Sequence, residues 1–337
     1  MIERGPTNLI TDVAGILVGN AEDERIRTGN TVVLCREPAL AAVDVRGAAP
    51  GTRETDLLDA TCLVERIDAI VLSGGSSFGL EAPAGVMNWL AEQGRGFAVG
   101  SARIPIVPGA ILFDLLNGGD KAWGAEPPYR ELGRRAAESA AADFALGNTG
   151  AGYGARAGPL KGGLGSVSAV DGPLQVGALM AVNAFGGVTI PGTSTLWAWP
   201  FERGNELGGQ PSPQLAGELD LNYGFDAALG AQTTIGVIAT NARLDKAQAK
   251  RVAMMAHDGL ARAIRPAHTP FDGDTLFVIA TGQATASPTT AAALGRLGTI
   301  AADCVARAIG RAVVEAETLG DMPSYRELHG GNLGRAG

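Results

Sequence analysis

Apolar residues along this chain fall into two patterns. Short runs rich in β-branched residues, most of them entered or left through glycine, predict strands at Ile16–Val18, Thr31–Leu34, Ala41–Val45, Ala69–Leu72, Gly96–Val99, Ser166–Ala169, Gly177–Val182, Ile235–Thr240 and Thr275–Ala280. Longer stretches repeat at helical spacing. Glu81–Gln93 puts Val86, Trp89 and Leu90 on one face, and Tyr129–Phe144 has charged and alanine faces. Leu244–Ile264 aligns Val252, Met255 and Leu260 with Lys and Arg outside, and Pro288–Leu319 has room for one long helix or two. Strands and helices mix without a regular βαβ period or an internal repeat, which predicts a layered α/β protein. Residues 203–230, rich in Gly, Pro and polar side chains, read as an exposed loop that leads into Gln232 and Thr233 at the mouth of the Ile235–Thr240 strand. A chain can be cut at such a junction without dismantling its core.

Composition narrows the partners. A formal charge of −8 with no Lys/Arg-rich block argues against nucleic acid and anionic membrane, and aromatics at 5% are too few for base stacking. The longest apolar run, near Leu174–Ile190, is interrupted by Gln175, Asn183 and glycines, so it reads as buried strand and turn, not as a membrane span. Cys35, Cys62 and Cys304 are odd in number and scattered, which fits neither a disulfide framework nor a zinc site. Reduced thiols and an N-terminus without an apolar signal core lead to a cytoplasmic expectation.

Candidate chemistry begins with what fails. Gly152, Gly154 and Ala157 fit a loose dinucleotide fingerprint, but residues 158–165 open no helix to receive a pyrophosphate. The Gly/Ser-rich SGGSSFG at 73–79 is not a nucleophile elbow, although a strand, glycine turn and helix start could aim backbone N–H groups at a substrate oxygen. A plain turn explains it equally well. His257, His268 and His329 are the only histidines; none pairs convincingly with a nucleophile and none has metal spacing. Asp272 and Asp274 flank Gly273 just before a buried strand, which suggests carboxylates held at a sheet end; an EF-hand loop would need further oxygen ligands that are missing. No cofactor or metal is expected. Adjacent Thr233 and Thr234 behind Gln232 suit a strand entrance on propensity alone.

Taken in order along the chain, AAVDVRGAA at 41–49, SGGSSFGLEA at 73–82, GNTGAG at 147–152, KGGLG at 161–165, Val182–Asn183, QTTIGVIATN at 232–241 and FDGDTLF at 271–277 resemble the DmpA/NylC family. This is the peptidase family S58-like group of self-cleaving N-terminal-nucleophile amidohydrolases: L-aminopeptidase D-esterase/amidases, β-aminopeptidases and 6-aminohexanoate-oligomer hydrolases. The resemblance covers most of the chain. It implies one hydrolase domain over 1–337, folded as a four-layer α/β/β/α sandwich. It also implies self-cleavage between Gln232 and Thr233 into chains 1–232 and 233–337, a small amide or peptide substrate, and a homo-oligomer, tetramer or larger. By the same resemblance Thr233 is the nucleophile, Asp272 and Asp274 orient it and its amine, Asn183 donates to the oxyanion, and Lys161 lies close by. A freed Thr233 α-amine, with an ordinary pKa of roughly 8, would serve as general base without any histidine.

Two departures accompany the resemblance. Gln232 stands where the family often has Asn or Gly before the nucleophile. Aminopeptidase members carry a glutamate that holds the substrate's free amine, whereas the comparable loop here, IPIVPGAILFD at 104–114, has none and is closer to the nylon-oligomer hydrolase type. Asp114, Glu81 and Phe78 are then the substrate-side candidates. An amide hydrolase is better supported than an aminopeptidase in particular. The rival expectation is a catalytically silent member that binds a small amide or acts as a scaffold.

Overall fold

The computed structural model describes residues 1–210, 212–213, 232–284, 288 and 290–330. Its centre is a ten-stranded sheet. From edge to edge the strands are Glu3–Arg4, Gly163–Asp171, Leu174–Val182, Ile235–Thr240, Thr275–Ala280, Thr28–Val45, Arg66–Ser73, Gly109–Ile111 and Thr52–Arg53, and Ile16–Asp23 also pairs with Thr28–Val45. Ile235–Thr240 runs parallel to Thr275–Ala280 and antiparallel to Leu174–Val182.

One strand makes this sheet into two stacked leaves. Thr28–Val45 is continuous over 18 residues, where the sequence pattern predicts two separate strands. Its first part pairs with Ile16–Asp23 and Arg66–Ser73, and its last part, Leu40–Val45, pairs with Thr275–Ala280. The register shifts between Leu34 and Ala39, across the exposed Arg36, Glu37 and Pro38. Proline removes a ladder donor and is tolerated at such an irregularity. The polar residues that look like a break between strands are the crossing point between leaves.

Alternation along the strands then fills three cores. Between the leaves lie Val33, Ile70 and Leu72 from one side and Leu179, Ile235, Val237, Phe277 and Ile279 from the other. Outside one leaf, α3 (Lys246–Ala263) and α4 (Ala291–Glu315) cover Met180, Ile238 and Val278 with Val252, Leu260, Val305 and Ile309. Outside the other, α1 (Ala82–Glu92) and α2 (Tyr129–Glu138) cover Val32, Ala69 and Val71 with Val86, Leu90 and Leu132. The architecture is the expected four-layer α/β/β/α sandwich. A short α5 (Tyr325–His329) closes the described chain.

Local chemistry sets the helix ends. Asp245 and Gln248 form a reciprocal capping box on α3, and Thr290 accepts the Ala293 amide at the start of α4. Pro288–Leu319 therefore resolves into one helix from Ala291, while residues 285–287 and 289 lie outside the described residues. α2 stops at Glu138, short of the predicted Phe144, because Ala141 exchanges two 3.0 Å backbone hydrogen bonds with Val18 and joins the sheet edge. The predicted Gly96–Val99 strand is Phe97–Val99, exposed and paired with Ala102–Ile104 in a separate surface hairpin. Of the predicted 203–230 loop, residues 211 and 214–230 lie outside the described residues. Just before them Glu206 is locked to Arg307 of α4 at 2.5 and 2.8 Å, with both side chains buried. No described helix is long and apolar enough to cross a membrane.

Candidate active site

The site forms where the middle strands of one leaf end. Gln232 bridges Asp272 in a parallel register just ahead of the paired Ile235–Thr240 and Thr275–Ala280 strands. The two threonines and two aspartates are therefore brought side by side by strand pairing, not by proximity in sequence. Thr233 and Thr234 are both buried. The Thr233 N–H donates to the Asn183 carbonyl at 2.6 Å, and the Thr233 hydroxyl donates to the Gln232 carbonyl oxygen at 2.5 Å. That same oxygen accepts the Gly273 amide at 3.2 Å. Gly273 must be glycine for this approach, since a Cβ there would sit 2.8 Å from Thr233 Oγ1.

The two aspartates grip the surrounding backbone. Asp274 Oδ1 accepts the Thr234 amide at 2.9 Å, while Oδ2 accepts both the amide and the Nδ1 side of His268, at 3.1 and 2.8 Å. Asp272 Oδ2 accepts the Thr269 amide and hydroxyl at 2.8 and 2.6 Å. Burial raises the Asp272 pKa, and the charge of Asp274 raises it further. Neither carboxylate hydrogen-bonds Thr233 itself among the described residues; they hold the residues on either side of it.

Asn183 follows the Leu174–Val182 strand. Its side chain is fixed at both ends, Nδ2 donating to the Phe113 carbonyl at 3.0 Å and Oδ1 accepting the Arg156 amide at 2.9 Å. An amide NH₂ has two hydrogens, so one is left for another acceptor. Lys161 is fully buried, and its Nζ donates to the carbonyls of Gly152 and Gly162 at 2.9 and 3.1 Å. Burial pulls its pKa down to about 7, against the attraction of Asp114. No described carboxylate lies within ion-pair distance of Lys161, and it makes no hydrogen bond to Thr233.

A cavity of about 230 Å³ opens beside Gln232 and Asn183, lined also by Phe113, Asp114, Asn117, Arg156 and Met322 among others. Asp114 is buried within it, with the Thr28 hydroxyl on one oxygen at 2.6 Å and the Gly75 amide on the other at 2.8 Å. Burial raises its pKa. Phe78 and Glu81 do not line this cavity: Phe78 stacks edge-on against Trp123, and Glu81 pairs with Arg130 at the surface. Most of the apolar 104–114 segment is elsewhere too. Ile106, Val107, Ile111 and Leu112 are core, and Ile104 is exposed on the hairpin; only Phe113 and Asp114 reach the cavity.

The glycine-rich turn at 73–79 serves structure. The amides of Gly74, Gly75 and Ser76 go to the Gly29 carbonyl, the Asp114 carboxylate and the Leu112 carbonyl, and that of Phe78 to the Gly75 carbonyl, so the glycine amides at its centre are not free for a substrate oxygen. Gly75 holds φ +85°, and a Cβ there would lie 2.0 Å from the Tyr129 ring. Residues 152–157 likewise lead into a two-stranded turn, Arg156–Ala157 with Leu160–Lys161, and not into a helix. No described group of three or more His, Cys, Asp or Glu is placed to hold a metal. Sequence reasoning missed Arg156 and His268. Arg156 sits in the rejected glycine motif, and His268 is six residues from the carboxylate it touches.

Around Thr233 the chain thus gathers a hydroxyl against a carbonyl, the backbone carbonyl of Asn183 and two buried carboxylates that hold the neighbouring backbone, while the buried Lys161 is fastened to the carbonyls of Gly152 and Gly162. The model of peptidase family S58 matches residues 8–324. A Mycobacterium tuberculosis protein named an uncharacterized aminopeptidase is 45% identical over 97% of this chain and 99% of its own. A 6-aminohexanoate-oligomer endohydrolase of Kocuria sp. is 31% identical over 87% of this chain and 80% of its own. Among solved structures, a Burkholderia sp. beta-aminopeptidase superposes with a TM-score of 0.70 at 23% identity, covering 95% of this chain and 90% of that one. The L-aminopeptidase D-Ala-esterase/amidase of Ochrobactrum anthropi gives 0.67 at 22%, covering 95% and 89%. At those identities the structures speak for the fold, which is of the N-terminal-nucleophile hydrolase kind. With the family model spanning nearly all of it, this chain belongs to peptidase family S58, the DmpA/NylC-like N-terminal-nucleophile hydrolases of amide and peptide bonds.

Proposed function

We propose that the chain is a single-domain precursor that cuts its own Gln232–Thr233 peptide and then hydrolyses small amides or peptides with Thr233 as nucleophile. The observation that carries this is the Thr233 hydroxyl 2.5 Å from the Gln232 carbonyl oxygen. The Gly273 amide polarises that carbonyl from another side. Attack of Oγ1 on the Gln232 carbonyl carbon moves the acyl group from nitrogen to oxygen, and water then hydrolyses the ester. Residues 1–232 leave as a carboxylate, and Thr233 begins the second chain with a free amine. That amine, near pKa 8 when unperturbed, takes the proton from its own hydroxyl in each later turnover. Asn183 has one amide hydrogen for the oxyanion, and losing such a donor typically costs about 10²–10³ in rate.

The two product chains are interleaved. Ile235–Thr240 would belong to the second chain yet pairs with Leu174–Val182 of the first, and Thr275–Ala280 pairs with Thr28–Val45. Cleavage would therefore leave one folded body, which we take to assemble further as a homo-oligomer, tetramer or larger. On the substrate side, Asp114 already accepts two hydrogen bonds and Arg156 brings a positive charge to the cavity. A free ammonium next to the scissile bond would meet one carboxylate among the described lining residues, Asp114, whose oxygens each already hold a hydrogen bond and whose charged form burial disfavours. Burying it unpaired is costly. Substrates with an uncharged acyl portion are favoured, which places this chain nearer amide-oligomer hydrolysis than aminopeptidase action.

Denaturing mass spectrometry tests the first step. The wild-type protein should separate into two fragments divided between Gln232 and Thr233, and Thr233→Ala should fold but stay a single inactive chain. Thr233→Ser and Thr233→Cys should retain some processing, because each supplies a side-chain nucleophile. A wild-type chain that remains whole after long incubation and turns over no amide refutes the proposal.

A further inference from the structure

Among the described residues, His268 alone holds Asp274 Oδ2 twice, through its backbone amide at 3.1 Å and its ring Nδ1 at 2.8 Å. The opposite oxygen of the same carboxylate holds the Thr234 amide at 2.9 Å, one peptide beyond the proposed nucleophile. Asp274 is buried, and its backbone carbonyl is fastened separately by the amides of Arg46 and Gly47 at 2.9 and 3.3 Å. With its main chain fixed, the remaining freedom of this aspartate is rotation of the carboxylate, and the His268 ring blocks that rotation. His268 adopts φ +57°, an uncommon conformation for a residue other than glycine. That backbone is what lets one residue present two donors to one oxygen.

The ring is supported from behind. His257 of α3 packs edge-on against it, with centroids 5.0 Å apart. His257 is buried, and its Nε2 lies 2.9 Å from the Asp44 carbonyl. Burial pushes the His257 pKa down to about 4, so at neutral pH His257 presents an uncharged wall to His268. The pair forms a brace running from α3 to the carboxylate.

We infer that His268 is a positioning residue for catalysis, acting through Asp274 to hold the Thr233–Thr234 backbone in register. This rests on the proposed role of Thr233. Misplacing a reacting group by about 1 Å costs on the order of 10²-fold in rate, so loss of the ring should lower kcat by tenfold or more and leave KM within about twofold.

The test uses His268→Gly and His268→Asn in the full chain. Glycine removes the ring while accepting φ +57° without strain, and so separates loss of the side chain from backbone distortion. Asparagine tolerates the same φ and places its amide nitrogen near the position of Nδ1. The substrates are an N-acyl amino-acid p-nitroanilide and a 6-aminohexanoate oligomer. His268→Gly should lose at least tenfold in kcat, and His268→Asn should recover most of it, with processing at Thr233 following the same order. Wild-type kcat in His268→Gly, or an Asn variant no better than Gly, overturns the inference. A wild-type protein that neither processes nor turns over substrate instead removes the underlying reading, and the inference with it. A separate measurement needs no turnover: in the Thr233→Ala chain, nitrogen NMR of the ring should find a proton on Nδ1 that shifts in Asp274→Asn. A bare Nδ1 also overturns the inference.

Discussion

Replacing Lys161 by methionine separates the charge of this residue from its bulk. The lysine is fully buried, and its pKa falls from 10.5 to about 7 because the ammonium has left water without a carboxylate partner. Between those values the unfolded chain binds a proton that the folded chain does not. Stability therefore rises with pH across the window from about 7 to 10.5, and the burial penalty is complete below 7. A shift of this size corresponds to roughly 5 kcal/mol in full, at about 1.36 kcal/mol per unit, and to roughly 3 kcal/mol between pH 6 and pH 9. Methionine cannot titrate, so that slope should vanish in Lys161→Met. The intercept is less informative, since the substitution also leaves the Gly152 and Gly162 carbonyls without their donor, at about 1–3 kcal/mol each. The assay is urea unfolding at pH 6, 7, 8 and 9 in the Thr233→Ala background, so that each protein unfolds as one chain. The stability of the lysine protein relative to the methionine protein should rise monotonically by about 3 kcal/mol from pH 6 to pH 9. Parallel pH profiles would refute the reasoning and mean that Lys161 keeps its charge in the fold.

Asp272→Asn and Asp274→Asn preserve size and remove charge, and each should lower turnover by orders of magnitude while circular dichroism stays unchanged; near-wild-type rates in both would assign these carboxylates to a turn. Comparing kcat/KM for a free-amine p-nitroanilide, its N-acyl form and a 6-aminohexanoate oligomer should favour the uncharged acyl groups. A tenfold preference for the free amine, about 1.4 kcal/mol, would reverse the substrate reading and make Asp114 the first residue to change, since Glu81 is held by Arg130 away from the cavity lining. Glu206→Gln strands the buried Arg307 guanidinium and should destabilise the chain by about 3–5 kcal/mol, read as a lower urea midpoint; an unchanged midpoint would mean that Asn8 and the Ser168 carbonyl suffice as partners.

The layers of this fold were legible wherever periodicity followed burial. Ile235–Thr240 and Thr275–Ala280 read as strands because every residue in them is buried, and α3 read as a helix because its apolar face meets a sheet. Legibility failed where one element served two layers. Arg36, Glu37 and Pro38 are exposed because Thr28–Val45 leaves one leaf and enters the other there, and a local pattern cannot distinguish a crossing from an ending. It failed also where tertiary partners overrode propensity: Ala140–Phe144 continues an alanine-rich helical pattern, yet Ala141 finds its backbone partners in Val18.

The site divides along the same line. Thr233, Asp272 and Asp274 stand out in the sequence because short motifs carry them, and strand pairing makes neighbours of positions about forty residues apart. What holds these groups in place was hidden, because support is geometric and has no motif. His268 precedes Asp274 by six residues, a spacing that means nothing in a helix or a strand; only a left-handed backbone folds the ring back onto the carboxylate. The Gly/Ser-rich turn misled in the opposite sense. It has the sequence of an oxyanion site, but the amides of Gly74, Gly75 and Ser76 are taken by Gly29, Asp114 and Leu112. The proposed reaction instead assigns the developing negative charge to the Asn183 side chain, whose NH₂ donates one hydrogen to Phe113 and keeps the other open. The reaction proposed for this chain therefore depends on a polar side chain at the end of a central strand, where both of its other hydrogen bonds, to Phe113 and Arg156, fix its direction before any substrate arrives.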